Sequence, residues 1–342
     1  MHRVDNNGIS SMCLKDGAQL LDRGTEDQGG RARVVSVADH HLHIQSDDVT
    51  EELRSVAQRL PEMFANLNPA LLQSRDGADA IGQLDEAGIQ QGVLLSEGYM
   101  FSSPFATPGL ANAAELTRRE NRFNVDAALT SNGRLKAFVG INPFSSFAID
   151  ELRYWSGEPG VSGVKLHLGN SGFDPRSQDH VAALAAFFGE VRGTGLSLLV
   201  HVRHAGPFDP SATRIFIDAV LSQAEGITVQ LAHGGGGGGV ADSVEVLDHY
   251  AEAIERSAPG TSGILVDLSC VLVLDPNTPE NIALLDRFVQ SARRIGIERF
   301  VMGSDWPTLC SPREHDALVV AQLPFTAEEW SVIAANRAPY LD

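Results

Sequence analysis

Two histidines, His41 and His43, stand one residue apart at the end of an apolar, β-branched run that begins at Val34. In extended backbone alternate side chains share a face, so Val35, Val37, Asp39, His41 and His43 fall on one side and both imidazoles point the same way. Neutral imidazole is the commonest ligand for zinc-like ions, and two of them at the end of a buried strand begin a divalent-metal site. Such pairs also occur among ordinary surface and core histidines, so the reading depends on what later strand ends supply. They supply Lys165 and His167, then His201, His233 and finally Asp305, each at the end of an apolar run. A random scatter of 11 histidines would not follow apolar runs so selectively. Three imidazoles and a carboxylate complete a tetrahedral zinc shell, and a water beside such an ion has its pKa lowered towards neutrality. His233 next to that water is suited to moving a proton or to holding a second ion.

Gathering these groups requires elements that bring many strand ends to one rim. Val34–His43, Gln91–Glu97, Leu135–Asn142, Gly163–Leu168, Leu196–Val202, Ile227–His233, Gly263–Ser269 and Arg299–Asp305 all read as strands. None alternates apolar with polar, which marks strands buried on both faces. Between them lie amphipathic stretches, among them Asp76–Ala87 stopped by Gly88, a helix capped by Ser177, Ala212–Gln223, Ser243–Arg256 and Pro279–Ile295. A capping box of Thr326 and Glu329 opens a closing helix expected to run over Ala327–Tyr340. Eight such β/α units imply an α/β protein whose parallel sheet closes into a (β/α)8 TIM barrel, with its chemistry at the C-terminal strand ends. Residues 34–342 are expected to form that barrel as one domain, and residues 1–33, polar and rich in Gly and Asp, an N-terminal extension either mobile or draped over the domain.

Composition narrows the partners. Of 342 residues 43% are hydrophobic and 20% charged, an ordinary globular profile. The formal net charge of -18 argues against nucleic acid or an anionic membrane, because both want clustered Lys and Arg. Cys13, Cys270 and Cys310 are an odd count without C-x-x-C spacing, which fits a reducing compartment. Neither a signal-peptide core nor a charge-free run long enough to span a bilayer is visible, so a cytoplasmic protein is expected.

Other residues carry two readings each. Asp267 ends a strand and either hydrogen-bonds a ligand histidine or caps a loop. Arg203, of the same parity as His201, either pairs with a substrate carboxylate or is an ordinary loop arginine. Tyr99, Met100 and Phe101 open a long connection, Gly98–Ala114, of the kind that forms lids or lacks order; with Phe144 they hint at a partly aromatic substrate wall. His40 faces away from His41 and belongs to the core, while His204 and His249 read as surface groups. Six consecutive glycines, Gly234 to Gly239, lack the Lys-Ser/Thr of a phosphate loop; they serve close backbone approach to a substrate or are plain loop.

The ordered combination Asp39-x-His41-x-His43, Gly163-Val-Lys-Leu-His167, His201, His233, Gly303-Ser-Asp-Trp-Pro307 and Ala335-Asn-Arg-Ala-Pro-Tyr340 resembles the amidohydrolase superfamily from about Val34 onward. The likeness is closer to the branch containing aminocarboxymuconate semialdehyde decarboxylase and pyrone dicarboxylate lactonase. It implies that His41, His43, His201 and Asp305 hold a metal and that His233 serves catalysis or a second metal. One Zn2+ is the usual complement of that branch; two are found where a fourth-strand lysine is carboxylated and bridges them, and another divalent ion fits the same ligands. Lys165 is accordingly either that bridge or a cation that orients an anionic substrate. The implied activity is hydrolysis of a small, polar, carboxylated amide or lactone through a metal-activated water, with Asp305 as proton acceptor. The alternative is a zinc-dependent lyase that decarboxylates an aromatic or muconate-type acid without oxidation. Dedicated aromatic decarboxylases often carry Glu at the first histidine of H-x-H, and His41 departs from that. A non-catalytic binding barrel is a third reading, opposed by the intact ligand set. A small-molecule partner and a homodimer are expected.

Overall fold

The computed structural model describes residues 34–61, 64, 68–202 and 208–342, so the expected extension over 1–33 lies outside the described residues, as do Arg203 and His204. The apolar runs form β1 (Ala38–Leu42), β2 (Gln91–Leu95), β3 (Leu135–Gly140), β4 (Val161–His167), β5 (Ser197–His201), β6 (Val229–Leu231), β7 (Ile264–Asp267) and β8 (Phe300–Val301). They pair in sequence order, every neighbour parallel. The return from β8 to β1 is made by a Leu42–Trp306 bridge and by the hydrogen bonds His40 N to Met302 O (2.9 Å) and Asp305 N to His41 O (2.8 Å). The fold is a (β/α)8 TIM barrel, and its mouth is the C-terminal rim.

Helices cover the outside: α1 (Asp47–Arg59), α2 (Gly77–Ala87), α3 (Ala113–Thr130), α4 (Ala148–Ser156), α5 (Gln178–Arg192), α6 (Pro210–Ile215), α7 (Val240–Glu255), α8 (Pro279–Ile295), α9 (Pro312–Gln322) and α10 (Ala327–Ala335). Side chains set their ends as the sequence suggests. Asp76 caps α2, Gly88 ends it in the left-handed conformation, Ser177 caps α5, and Thr326 with Glu329 forms the box on α10.

Four expectations need correction. The helix expected over Ala212–Gln223 is broken: α6 runs into a π turn at Phe216–Val220 and a 3-10 turn at Leu221–Gln223. Helix α9, opened by a Ser311/Glu314 capping box, was not anticipated. Helix α10 stops at Ala335 rather than Tyr340, because Pro339 cannot continue it and disfavours helical backbone just before it. The Gly98–Ala114 connection opens with an ordered, buried 3-10 turn, Gly98–Ser102, whose Tyr99, Met100 and Phe101 pack with Val49, Leu53 and Val56 of α1.

Two glycines explain how the interior closes. A Cβ at Gly163 would overlap the ring of Phe138, which with Tyr340 fills the lower barrel at 4.9 Å between ring centroids. A Cβ at Gly234 would meet Ser243 Oγ at 2.6 Å, so the start of the glycine run is buried backbone packed on α7. His40 also works below the site: its ring bonds Met302 O at 2.9 Å and accepts Ala338 N–H at 3.3 Å, which anchors the C-terminal segment. No described helix is long and apolar enough to cross a membrane.

Candidate metal centre

His41 and His43 do project together into the mouth, their ring centroids 5.3 Å apart. His43 Nδ1 lies 2.8 Å from the carbonyl of Leu95. A carbonyl can only accept, so Nδ1 carries the proton and Nε2 keeps its lone pair. His41 Nδ1 is 3.0 Å from Asp267 Oδ2, which orients that ring in the same way. Asp267 therefore realises both readings: its Oδ1 also accepts from the backbone N–H groups of His233 (2.9 Å) and Ser269 (3.2 Å).

The Nε2 atoms so directed meet one carboxylate oxygen. Asp305 Oδ1 lies 3.3 Å from His41 Nε2 and 3.1 Å from His43 Nε2. Although within ion-pair distance, His41 Nε2 makes no hydrogen bond, and the residue is 1% exposed. Burial pushes the Asp305 carboxyl up, but His41 and His43 outweigh that and hold it well below the usual carboxylate range. Two imidazole nitrogens thus face an ionised oxygen, an arrangement that a cation among them would stabilise. In the bare protein a proton serves: burial and Lys165 oppose charge on His41, yet Asp267 and Asp305 raise its pKa. Two nitrogens and one oxygen, all buried, match the donor set of a zinc-class ion, so the residues fit the expected group.

Around this triad the other strand ends are placed as follows. Cross-strand register sets His167 directly opposite His201, and their rings stack at 4.0 Å. His201 sits 4.4 Å from His233 between ring centroids, and its buried Nε2 has no hydrogen-bond partner. Burial, then the neighbouring His167 and His233, push His201 well below the ordinary histidine range. Its nitrogens nevertheless fall outside the tight donor groups, which are His41–His43–Asp305, His41–His233–Asp267 and His233–Cys270–Asp305. Burial lowers His233 to about 4, so it is neutral at physiological pH. Lys165 is 1% exposed inside the barrel; burial lowers its pKa, and the carboxylates of Asp305, Glu97 and Asp267 resist that.

Tyr99 lies 5.5 Å from His167 between ring centroids, and its hydroxyl donates to Glu97 Oε2 at 2.8 Å. Glu97 itself escaped the sequence reading, though its other oxygen is 3.1 Å from His43 Nδ1. It shares parity with Val93 and Leu95, and that was the available signal. Ser269 and Cys270 were also missed. The Ser269 hydroxyl lies 2.8 Å from His233 Nδ1 and 3.2 Å from His41 Nδ1, tying two strand ends together. Only the backbone reveals Cys270: it, His233 and Asp305 have φ of 57°, 56° and 58°, the left-handed region that costs an L-residue roughly 1–2 kcal/mol.

Buried imidazoles and carboxylates converging at the C-terminal rim define a barrel of the metal-assisted enzyme class. Residues 99–334 match the amidohydrolase family model, and the chain belongs to that family. The match begins beyond β1 and β2, so the H-x-H pair lies outside it. The family is metal-dependent, and this chain holds candidate metal-binding residues. No curated protein matches the sequence. Among solved structures, 5-carboxyvanillate decarboxylase LigW of Sphingomonas paucimobilis is similar over 88% of this chain and 97% of its own, with TM-score 0.59 and 13% identity. A probable 2-pyrone-4,6-dicarboxylic acid hydrolase of Acinetobacter baumannii, with citric acid bound, matches over 87% of this chain and 96% of its own at TM-score 0.53 and 18% identity. A 5-carboxyvanillate decarboxylase of Novosphingobium aromaticivorans, complexed with manganese and 4-hydroxy-3-methoxy-5-nitrobenzoic acid, matches over 92% and 97% at TM-score 0.58 and 12% identity. At these identities the likeness is one of fold, and hydrolase and decarboxylase readings are both compatible with it.

Proposed function

We propose that this chain is a metal-dependent hydrolase of a small, polar, carboxylated amide or lactone. The observation that carries the reading is the set of lone pairs from His41 and His43 directed at one ionised oxygen of Asp305. His41, His43 and Asp305 would hold a zinc-class ion, with His201 closing on it from β5; manganese is the alternative suggested by a structural neighbour. When bound, such an ion polarises a carbonyl and acidifies water. The chain's own residues do the rest. Asp305 is kept ionised and accepts the water proton. His233, kept neutral and fixed at Nδ1 by Ser269, takes that proton from Asp305 on its other nitrogen and delivers it to the leaving group. Lys165, buried among carboxylates, orients an anionic substrate, and Asp267 keeps His41 in the tautomer that leaves Nε2 available.

Decarboxylation is the second reading, supported by neighbours whose names are those of aromatic-acid decarboxylases. The metal-loaded protein, offered lactones in one series and carboxylated aromatic or muconate-type acids in another, separates the two when ring opening and carbon dioxide are followed independently. Ring opening without carbon dioxide supports hydrolysis. Carbon dioxide without ring opening replaces it with the lyase.

A further inference from the structure

Asp305 has two oxygens, and the imidazoles of β1 use only Oδ1. The other, Oδ2, lies 3.2 Å from the sulfur of Cys270. With His233 these residues form a second buried donor group whose nitrogen, sulfur and oxygen atoms all lie within 4.8 Å of one another. An ion near the centre of such a triangle is within bonding reach of all three after small shifts. The surroundings point the same way. His41 Nε2, buried and without a hydrogen bond, is aimed at the same carboxylate, and the His41 and His233 rings are 4.9 Å apart.

The sulfur is held in this position by its backbone. Cys270 adopts φ 57°. Its N–H donates to His315 Nε2 at 3.1 Å, and its carbonyl accepts from Gly239 N at 2.8 Å and Leu272 N at 3.0 Å. His315 comes from α9 and is fully buried, and its Nε2 accepts the Cys270 N–H. The backbone so pinned keeps the sulfur against Asp305 Oδ2.

We propose that His233, Cys270 and Asp305 Oδ2 form a sulfur-containing cation position beside the His41–His43–Asp305 one, with Asp305 shared between them and His233 bound to this ion in place of carrying the proton, which Asp305 then passes on directly. It rests on the metal reading above and adds a soft ligand to it, which favours zinc-class ions over magnesium or calcium. The ion displaces the thiol proton to solvent, so Cys270 binds as thiolate, one proton leaving for each sulfur bound.

Cobalt(II) is the probe, because a thiolate–cobalt bond gives a charge-transfer absorption in the near ultraviolet that nitrogen and oxygen ligands do not. The full chain, stripped of metal and loaded to saturation with cobalt, is expected to show that absorption and to hold about two ions per chain. Cys270→Ser should lose the absorption and about one ion while keeping the other, and Cys310→Ser should change neither. Saturated wild-type protein without the absorption overturns the proposal and leaves Cys270 as a hydrogen-bond donor to Asp305. The absorption with a single ion per chain also overturns it, since no second position then exists. Failure to bind cobalt at all is a different result, because it removes the metal reading itself. The wild-type spectrum decides the matter even if Cys270→Ser does not fold.

Discussion

Asp305 and Asp267 are both buried carboxylates beside His41, yet their partners assign them different work. Asp305 faces Nε2 of two histidines, whereas Asp267 accepts from His41 Nδ1 and from two backbone N–H groups. Asp305→Asn is expected to abolish metal retention and cost several orders of magnitude in rate. Asp267→Asn should leave the donor atoms present but poorly oriented, weakening metal affinity about 10–100-fold, as loss of a supporting hydrogen bond does. Metal titration of the two variants checks this, and equal losses would contradict the distinction. The five strand-end groups were legible because each follows an apolar run of fixed parity. Glu97, Ser269 and Cys270 were less so, since their roles depend on where the chain bends after the strand. No spacing rule announces that Cys270 takes a left-handed conformation.

At the level of elements, eight parallel strands could be read because β strands buried on both faces leave continuous apolar runs. Strand ends were harder. The sequence reading carries β8 through Asp305, but regular pairing covers only Phe300–Val301, and the residues beyond follow β1 through single hydrogen bonds to reach the site. Helix α9 was hidden because its buried face includes His315, Asp316 and Gln322, polar groups that blur the apolar period. Packing within the barrel makes a further prediction. Gly163→Ala should cost roughly 1–3 kcal/mol by forcing a methyl group against Phe138. Phe138→Leu in the same chain should recover part of that loss. Chemical denaturation of the single and double variants measures the coupling, and strict additivity would show that the two side chains do not compete for the space.

For the molecule as a whole, stability should carry the mark of a buried acid on α3. Glu120 on α3 is 1% exposed and bonds Ser46 and Asn124, and burial raises its pKa from 4.5 to about 7. Between those values the unfolded chain loses the proton while the folded chain keeps it. The contribution is therefore fully present below 4.5 and is lost as pH rises through about 7, for a total of about 3 kcal/mol. Glu120→Gln mimics the protonated acid and should remove this slope. Urea unfolding of both proteins at about pH 4 and about pH 8 tests it; the same pH dependence in the two would refute it.

The account stands on the barrel mouth being a metal site. The most direct measurement is elemental analysis of protein prepared without chelator, beside His41→Ala prepared identically. Divalent metal in stoichiometric amount in the former and a marked loss in the latter is the expected result. Absence of metal from the wild-type protein, with added zinc or manganese altering neither stability nor activity, would contradict it.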